Sequence, residues 1–268
     1  MLFAVISDVH ANLDALHAVL YEIKRHTPDA VWFLGDVVGY GPEPDECVEI
    51  LKKNVQLLLA GNHDCAVIGL TDIEYFNPYA REAIEWTTEI LTEENKAFLK
   101  TLPIFKSLRD KDYPSPTPLP DASGEGARGR VKDVISVGDI CLAHSSPKEP
   151  EQWHYILNTW DVHINLQFFT ERICFIGHSH YPFIAEQGPD GEIHVYKNHT
   201  DIKKGCRYMV NAGSIGQPRD GNPFAAYALL GKNFIEIKRV SYDIASTQKK
   251  MKKVGLPSFL IGRLLRGR

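Results

Sequence analysis

Val31-Trp32-Phe33-Leu34-Gly35-Asp36 holds four apolar residues in a row, then a glycine, then an acid. Such a run reads as a strand buried on both faces of a sheet. It stops on a carboxylate, and a buried carboxylate must be paired or bound to a cation. The loop beyond, Val37-Val38-Gly39-Tyr40-Gly41-Pro42, bends the backbone twice with glycine. The end of a sheet strand, where a loop begins, is where α/β proteins place their chemistry. Asp36 is therefore read as a bridge between two metal ions, with the other motifs converging on it.

Working outward, Leu2-Phe3-Ala4-Val5-Ile6 is a second buried strand that also runs to an acid, Asp8. Asn12 reads as the cap of a helix whose Leu13, Leu16, Leu20 and Ile23 form one apolar stripe. A helix over 44–53 and a strand over 55–60 follow, the strand ending at Gly61-Asn62-His63-Asp64. Strands separated by helices argue for a largely parallel sheet. Asn77 and Thr92 read as caps of two further helices.

The second half reads as mostly strands. Residues 134–137 and 140–143 flank Gly138-Asp139, a hairpin signal, and His144 follows at once. Thr159 reads as a helix cap. Ile173–Ile176 is another buried strand, ending at Gly177-His178-Ser179-His180. Strands are expected near Phe183, Val195, Met209, Tyr227 and Ile235, and a C-terminal helix is expected to start at Asp243. Two packed sheets with outer helices would bury both halves. The segment 109–130, with four prolines and three glycines and few apolar residues, reads as a mobile surface insertion.

Five short motifs each follow an expected strand: Asp8-x-His10, Gly35-Asp36, Gly61-Asn62-His63-Asp64, Ala143-His144 and Gly177-His178-x-His180. Any one alone is a loop end or a cap. Together they bring carboxylate, amide and imidazole to the ends of successive strands. Asp8/His10 and His178/His180 are each two apart, so in an extended segment each pair points to one side. Nitrogen and oxygen donors without cysteine suit Mn²⁺ or Fe, with Zn²⁺ as an alternative. Seven or eight ligands are too many for one ion. Two divalent transition-metal ions sharing Asp36 would use them, at the spacing that clamps in-line displacement at phosphorus.

These motifs, in this order, resemble those of the calcineurin-like metallophosphoesterases. Val210-Asn211-Ala212-Gly213-Ser214-Ile215-Gly216-Gln217-Pro218-Arg219 resembles the small prokaryotic phosphodiesterase branch, which includes relatives of symmetrical dinucleoside tetraphosphatases. The resemblance covers nearly the whole chain and implies one metallophosphoesterase domain over 1–268, a flexible insertion at 109–130 aside. It implies an α/β fold, a four-layer α-β-β-α sandwich with two mixed β-sheets. It assigns Asp8, His10 and His180 to one metal, Asn62, His144 and His178 to the other, and Asp36 to both. A hydroxide shared by the cations would attack a phosphodiester in line. His63 would sit beside the phosphate and protonate the leaving oxygen. Arg219 and Asn12 are candidate substrate contacts, and Asp64 is read as an orienting partner of His63 or a surface acid. Protein phosphatase activity and a catalytically silent scaffold with the same fold remain alternatives.

Net charge of −4 argues against a stable nucleic-acid complex. No apolar run approaches the ~20 residues of a membrane span. Five widely spaced cysteines without a CxxC pair suit free thiols in the cytoplasm. The partner expected is a phosphate-ester small molecule or nucleotide, and a homo-oligomer is compatible with the sequence.

Overall fold

The computed structural model describes residues 1–109 and 135–268. The expected insertion at 109–130 falls, from 110 onward, outside the described residues.

Two six-stranded mixed sheets form the centre. The first contains β1 (Leu2–Ile6), β2 (Ala30–Phe33), β3 (Leu57–Leu58), β9 (His199–Asp201), β11 (Ala225–Gly231) and β12 (Phe234–Val240), in the order β3-β2-β1-β11-β12-β9. The second contains β4 (Phe105–Ser107), β5 (Ile140–Ala143), β6 (Ile173–Ile176), β7 (Phe183–Gln187), β8 (Ile193–Tyr196) and β10 (Arg207–Asn211), in the order β4-β5-β6-β10-β7-β8. The strands β1, β2 and β3 are parallel to one another, as are β5, β6 and β10.

Side-chain alternation explains the four layers. Side chains at i and i+2 share a face of a strand. Phe3 and Val5, Trp32 and Leu34, Leu142, Phe175, Tyr208 and Val210 meet in one core between the sheets. The intervening Ala4, Ile6, Val31 and Phe33 face α1 (Leu13–His26) and α2 (Pro44–Asn54) in a second core. Cys141, Ala143, Cys174 and Ile176 face α6 (Thr159–Asn165) in a third. Continuous apolar runs are thus required, because both faces of each strand are covered. All five cysteines are buried free thiols.

The helices α3 (Asn62–Val67), α4 (Pro78–Ile90) and α5 (Glu93–Leu99) fill out the first half. The C-terminal α7 (Ile244–Lys253) and α8 (Ser258–Leu264) pack Met251, Leu260, Ile261 and Leu264 against Ala80, Ala83 and Tyr40. Asn12, Asn77, Thr92 and Asp243 accept backbone hydrogen bonds as the caps expected of them.

Three local expectations are corrected. The strand expected over 55–60 pairs only at Leu57–Leu58, and Asn62 opens a helix rather than a loop. The hairpin at Gly138-Asp139 does not form: Val137–Asp139 is a single 3₁₀ turn, closed by the Asp139 carboxylate accepting from the Ser136 N–H at 2.8 Å. The strand after it pairs with β4 and β6 instead. Asn158, not Thr159, caps α6, its side chain accepting from the Trp160 and Asp161 amides.

Candidate metal centre

The carboxyl ends of parallel strands lie at one edge of a sheet, and five strands deliver donors there. Asp8 and His10 follow β1, Asp36 follows β2, Asn62 and His63 follow β3, His144 follows β5, and His178 and His180 follow β6. All eight side chains are buried.

The loops that carry them are not extended. Asp8 (φ 53°), His10 (φ 49°), Asp36 (φ 60°), His178 (φ 64°) and His180 (φ 58°) all adopt the left-handed conformation. This region costs an L-residue roughly 1–2 kcal/mol, and such residues gather at functional sites. Asp8 and His10 still face one cluster, as their spacing leads one to expect, but the 178/180 pair splits, and for it the strand-like reading is corrected. His180 joins Asp8 and His10, whereas His178 joins Asp36 and His144, in two clusters whose ligand atoms lie within 4.8 Å of one another. A third such group is His10, Asp36 and His63.

One carboxylate stands between the two clusters. Asp36 Oδ2 is 3.6 Å from His10 Nε2 and 3.4 Å from His144 Nε2. Its other oxygen, Oδ1, accepts from the His63 backbone N–H at 2.8 Å. Gly61 is required beside it, since a Cβ there would sit 2.1 Å from that Oδ1.

The donors fit cations better than they fit one another. His10 Nδ1 lies 3.1 Å from the Val38 carbonyl, His180 Nδ1 2.6 Å from Gln217 O, and His144 Nδ1 3.1 Å from Leu34 O. A carbonyl only accepts, so each Nδ1 carries a proton, and each Nε2 has its lone pair to offer a cation once it gives up any proton of its own. The Nε2 atoms of His10 and His180 nonetheless face each other at 3.0 Å. His144 Nε2 likewise faces Asn62 Oδ1 at 3.1 Å. Asp8 Oδ1 and His178 Nε2 are buried without a hydrogen bond. Lone pairs converging at 3 Å repel unless a positive charge lies among them, and ligands each ~2 Å from one ion are spaced this way.

The proton affinities say the same. Burial pulls His144 down, but the Asp36 charge and hydrogen bond outweigh it and push the imidazole up to about 9. Burial likewise raises Asp36, yet the surrounding histidines hold it well below the carboxylate range. Among the described residues neither Asp8 nor Asp36 has a Lys or Arg partner, so this buried negative charge calls for cations.

Asp64 is neither a surface acid nor a partner of the His63 ring. It is fully buried, and its Oδ2 accepts from the N–H groups of Asp36 (2.8 Å), Gly61 (3.0 Å) and Val37 (3.3 Å), while Oδ1 accepts from Val38 (3.1 Å). It ties the Asp36 loop to α3. Burial first, and the Asp36 charge second, push its carboxyl up to about 7. The spacing of Asp64 gave no sign of this, because three of its four partners are backbone groups 26 to 28 residues away.

Asn12 does not reach the cleft. Its oxygen caps α1 at Ala15 N, and its amide donates to Gly216 O at 2.9 Å and Tyr242 Oη at 3.2 Å. A cleft of about 760 Å³ opens over the centre, lined by Asn62, His63, His178, Arg219 and several aromatic rings. His63 packs between Tyr40 and Phe76, with ring centroids at 4.4 and 5.0 Å. Tyr155 stacks on His178 at 4.1 Å. Sequence reasoning missed Tyr155, Trp153 and Tyr75, whose motif-free segments give no signal.

A four-layer α-β-β-α sandwich with two carboxylate-linked nitrogen and oxygen clusters at its strand tips defines a class of metal-binding α/β protein. The chain belongs to the calcineurin-like phosphoesterase family, whose model matches residues 1–182. It is 37% identical to an uncharacterized protein of Methanocaldococcus jannaschii over 269 residues, covering 100% of this chain and 98% of that one. A metallophosphoesterase from Sphaerobacter thermophilus superposes with a TM-score of 0.78 at 36% identity, covering 100% of this chain and 99% of the other. A hypothetical protein from Pyrococcus horikoshii shares the fold, with a TM-score of 0.72 at 20% identity and coverage of 100% and 98%. The family implies divalent metal ions and a phosphate-ester substrate. Among the described residues no helix is long and apolar enough to cross a membrane.

Proposed function

We propose that this chain is a two-metal phosphodiesterase with nucleotides among its substrates. The observation that carries the proposal is Asp36 Oδ2, set 3.6 Å and 3.4 Å from one imidazole of each cluster. Asp8, His10 and His180 would hold one ion, Asn62, His144 and His178 the other, and Asp36 both. The all-nitrogen-and-oxygen set favours Mn²⁺ or Fe over Zn²⁺. When bound, the pair supplies Lewis acidity at phosphorus and brings the proton affinity of water toward neutral pH.

The chain's own residues do the rest. Burial lowers the His63 imidazole, the Asp36 charge pulls it back up and the nearby Arg219 lowers it again, leaving it at about 4. In the free site it is neutral, and with substrate bound its N–H would donate to a phosphoryl oxygen. The negative charge of a bound phosphate reverses the balance, so the ring takes up a proton only with substrate beside it. It then passes that proton to the departing alkoxide oxygen, a role worth ~10²–10⁴-fold. Arg219 faces the same cleft and offers a planar fork to a phosphoryl group. The aromatic rings around the cleft support a nucleotide, including the symmetrical dinucleoside tetraphosphate of the alternative reading. The buried free thiols support a cytoplasmic setting, and the shared inter-sheet core supports one domain over 1–268.

Turnover of bis(p-nitrophenyl) phosphate and p-nitrophenyl phosphate with added Mn²⁺ tests this. The diester is the better substrate, Asp36→Asn loses both activity and metal, and His63→Ala loses rate while keeping metal. No turnover by metal-loaded protein on any of several diesters and monoesters would leave the silent scaffold as the reading.

A further inference from the structure

An imidazole that delivers a proton from one ring nitrogen is ordinarily oriented by a carboxylate or carbonyl on the other. His63 has no such partner. Among the described residues its Nδ1 is buried without a hydrogen bond, and Asp64 serves backbone amides instead. Nε2 is left for the cleft that His63 lines. Packing must therefore do what a hydrogen bond does elsewhere. Three rings enclose the imidazole, with centroids at 4.4 Å (Tyr40), 4.8 Å (His10, edge-on) and 5.0 Å (Phe76, edge-on).

Tyr40 is the member of this cage that touches the other functional groups as well. Its ring lies 4.6 Å from that of His10, and its hydroxyl accepts from Arg219 Nη2 at 3.3 Å. The glycines on either side let the loop press inward: a Cβ at Gly39 would sit 2.5 Å from His63 Nδ1, and one at Gly41 2.3 Å from the His10 carbonyl oxygen. Tyr40 itself has φ 59°, a left-handed conformation that a bulky L-residue adopts only where its surroundings impose it. Those surroundings are α4 and the C-terminal helices, whose Ala80, Ala83, Leu260 and Leu264 share a core with the buried ring. Both α7 and α8 lie beyond the residues 1–182 that the family model matches. We infer that Tyr40 is a positioning residue, its ring fixing the His63 imidazole and its hydroxyl fixing the Arg219 fork. This rests on the phosphodiesterase reading, in which His63 delivers the proton and Arg219 grips the phosphoryl group.

The probes are bis(p-nitrophenyl) phosphate and diphenyl phosphate, whose phenolate is the more basic leaving group and depends more on a proton donor. In Mn²⁺-loaded protein, Tyr40→Leu lowers kcat on diphenyl phosphate by ~10–100-fold, the scale of a misplaced catalytic group, and on bis(p-nitrophenyl) phosphate by about threefold or less. Tyr40→Phe restores kcat to within about threefold but leaves KM raised by ~3–10-fold, the order of one lost hydrogen bond. Placed in His63→Ala, Tyr40→Leu removes less than about twofold more, since the ring it positions is gone. Equal losses on both esters, a loss that multiplies with that of His63→Ala, or an unchanged KM in Tyr40→Phe overturns the inference. Crystal structures of the variants read the same point without turnover: His63 leaves its rotamer in Tyr40→Leu and Arg219 leaves its own in Tyr40→Phe, and unchanged rotamers overturn the inference. If Tyr40→Leu does not fold, the KM and the Arg219 rotamer of Tyr40→Phe decide. Absence of wild-type turnover on both esters removes the phosphodiesterase reading, while the crystal structures still report on Tyr40.

Discussion

Asp64→Ala is the most informative single change, because Asp64 touches no candidate ligand side chain yet holds the loop that carries Asp36. Four buried N–H groups, of Asp36, Val37, Val38 and Gly61, lose their acceptor together. Each unmet buried donor costs ~1–3 kcal/mol. Against that sum stands the relief of a buried acid whose carboxyl is pushed up to about 7 from an ordinary 3.8, roughly 4 kcal/mol at 1.36 kcal/mol per unit. At the middle of that range, ~2 kcal/mol per donor, the difference leaves a net loss of about 4 kcal/mol, or ~8–16 °C in Tm at 2–4 °C per kcal/mol. Asp64→Asn keeps an oxygen for Asp36, Val37 and Gly61 and is neutral, so it stays within about 1 kcal/mol of wild type. Metal content should follow the loop rather than the charge: Asp64→Ala binds Mn²⁺ ~10–100-fold more weakly, as when a ligand's outer support is removed. Thermal unfolding of both variants, with metal measured by elemental analysis, reads the two effects. An Asp64→Ala protein that melts within 2 °C of wild type and keeps its metal would refute the argument that these four bonds hold the Asp36 loop in place.

Two further outcomes follow from the same structure. Saturating Mn²⁺ at a hundredfold above its Kd stabilises the folded state by about 2.7 kcal/mol, which raises Tm by roughly 5–10 °C; a melting curve that ignores Mn²⁺ and chelator alike would mean the clusters hold no ion. Burial raises the Asp14 carboxyl, but hydrogen bonds from Lys250 and Thr247 outweigh it and hold the group below its ordinary 3.8. That contact joins α1 to α7. A depressed carboxylate contributes stability that is present above its unfolded value and lost as pH falls through the folded one. Wild type therefore loses Tm below about pH 3.8 more steeply than Asp14→Asn, and parallel curves for the two would remove the contact from the account.

The strands were legible because burial on both faces leaves a continuous apolar run, as at 2–6, 31–34, 140–143 and 173–176. Strand tips followed by Asp, Asn or His therefore marked the metal centre in one dimension. The two-residue β3, the α3 helix opening at Asn62 and the β4 edge strand were not legible. Their short segments have no period of their own and are set by what they pair with. The hairpin signal at Gly138-Asp139 failed for the same reason, since a local turn preference yielded to pairing with β6, 33 residues on in the register.

Sequence alone determined the sandwich, the ligand types and the order in which they arrive, because hydrophobic patterning and donor chemistry belong to individual residues. Tertiary structure alone decided that the 178/180 pair splits through left-handed turns, that Asp64 serves the backbone rather than a ring, and that Arg263 enters the cleft. Those facts depend on left-handed turns at Asp8, His10, His178 and His180 and on contacts spanning up to 170 residues or more. A backbone turn held by distant packing leaves no period or motif in the chain that makes it.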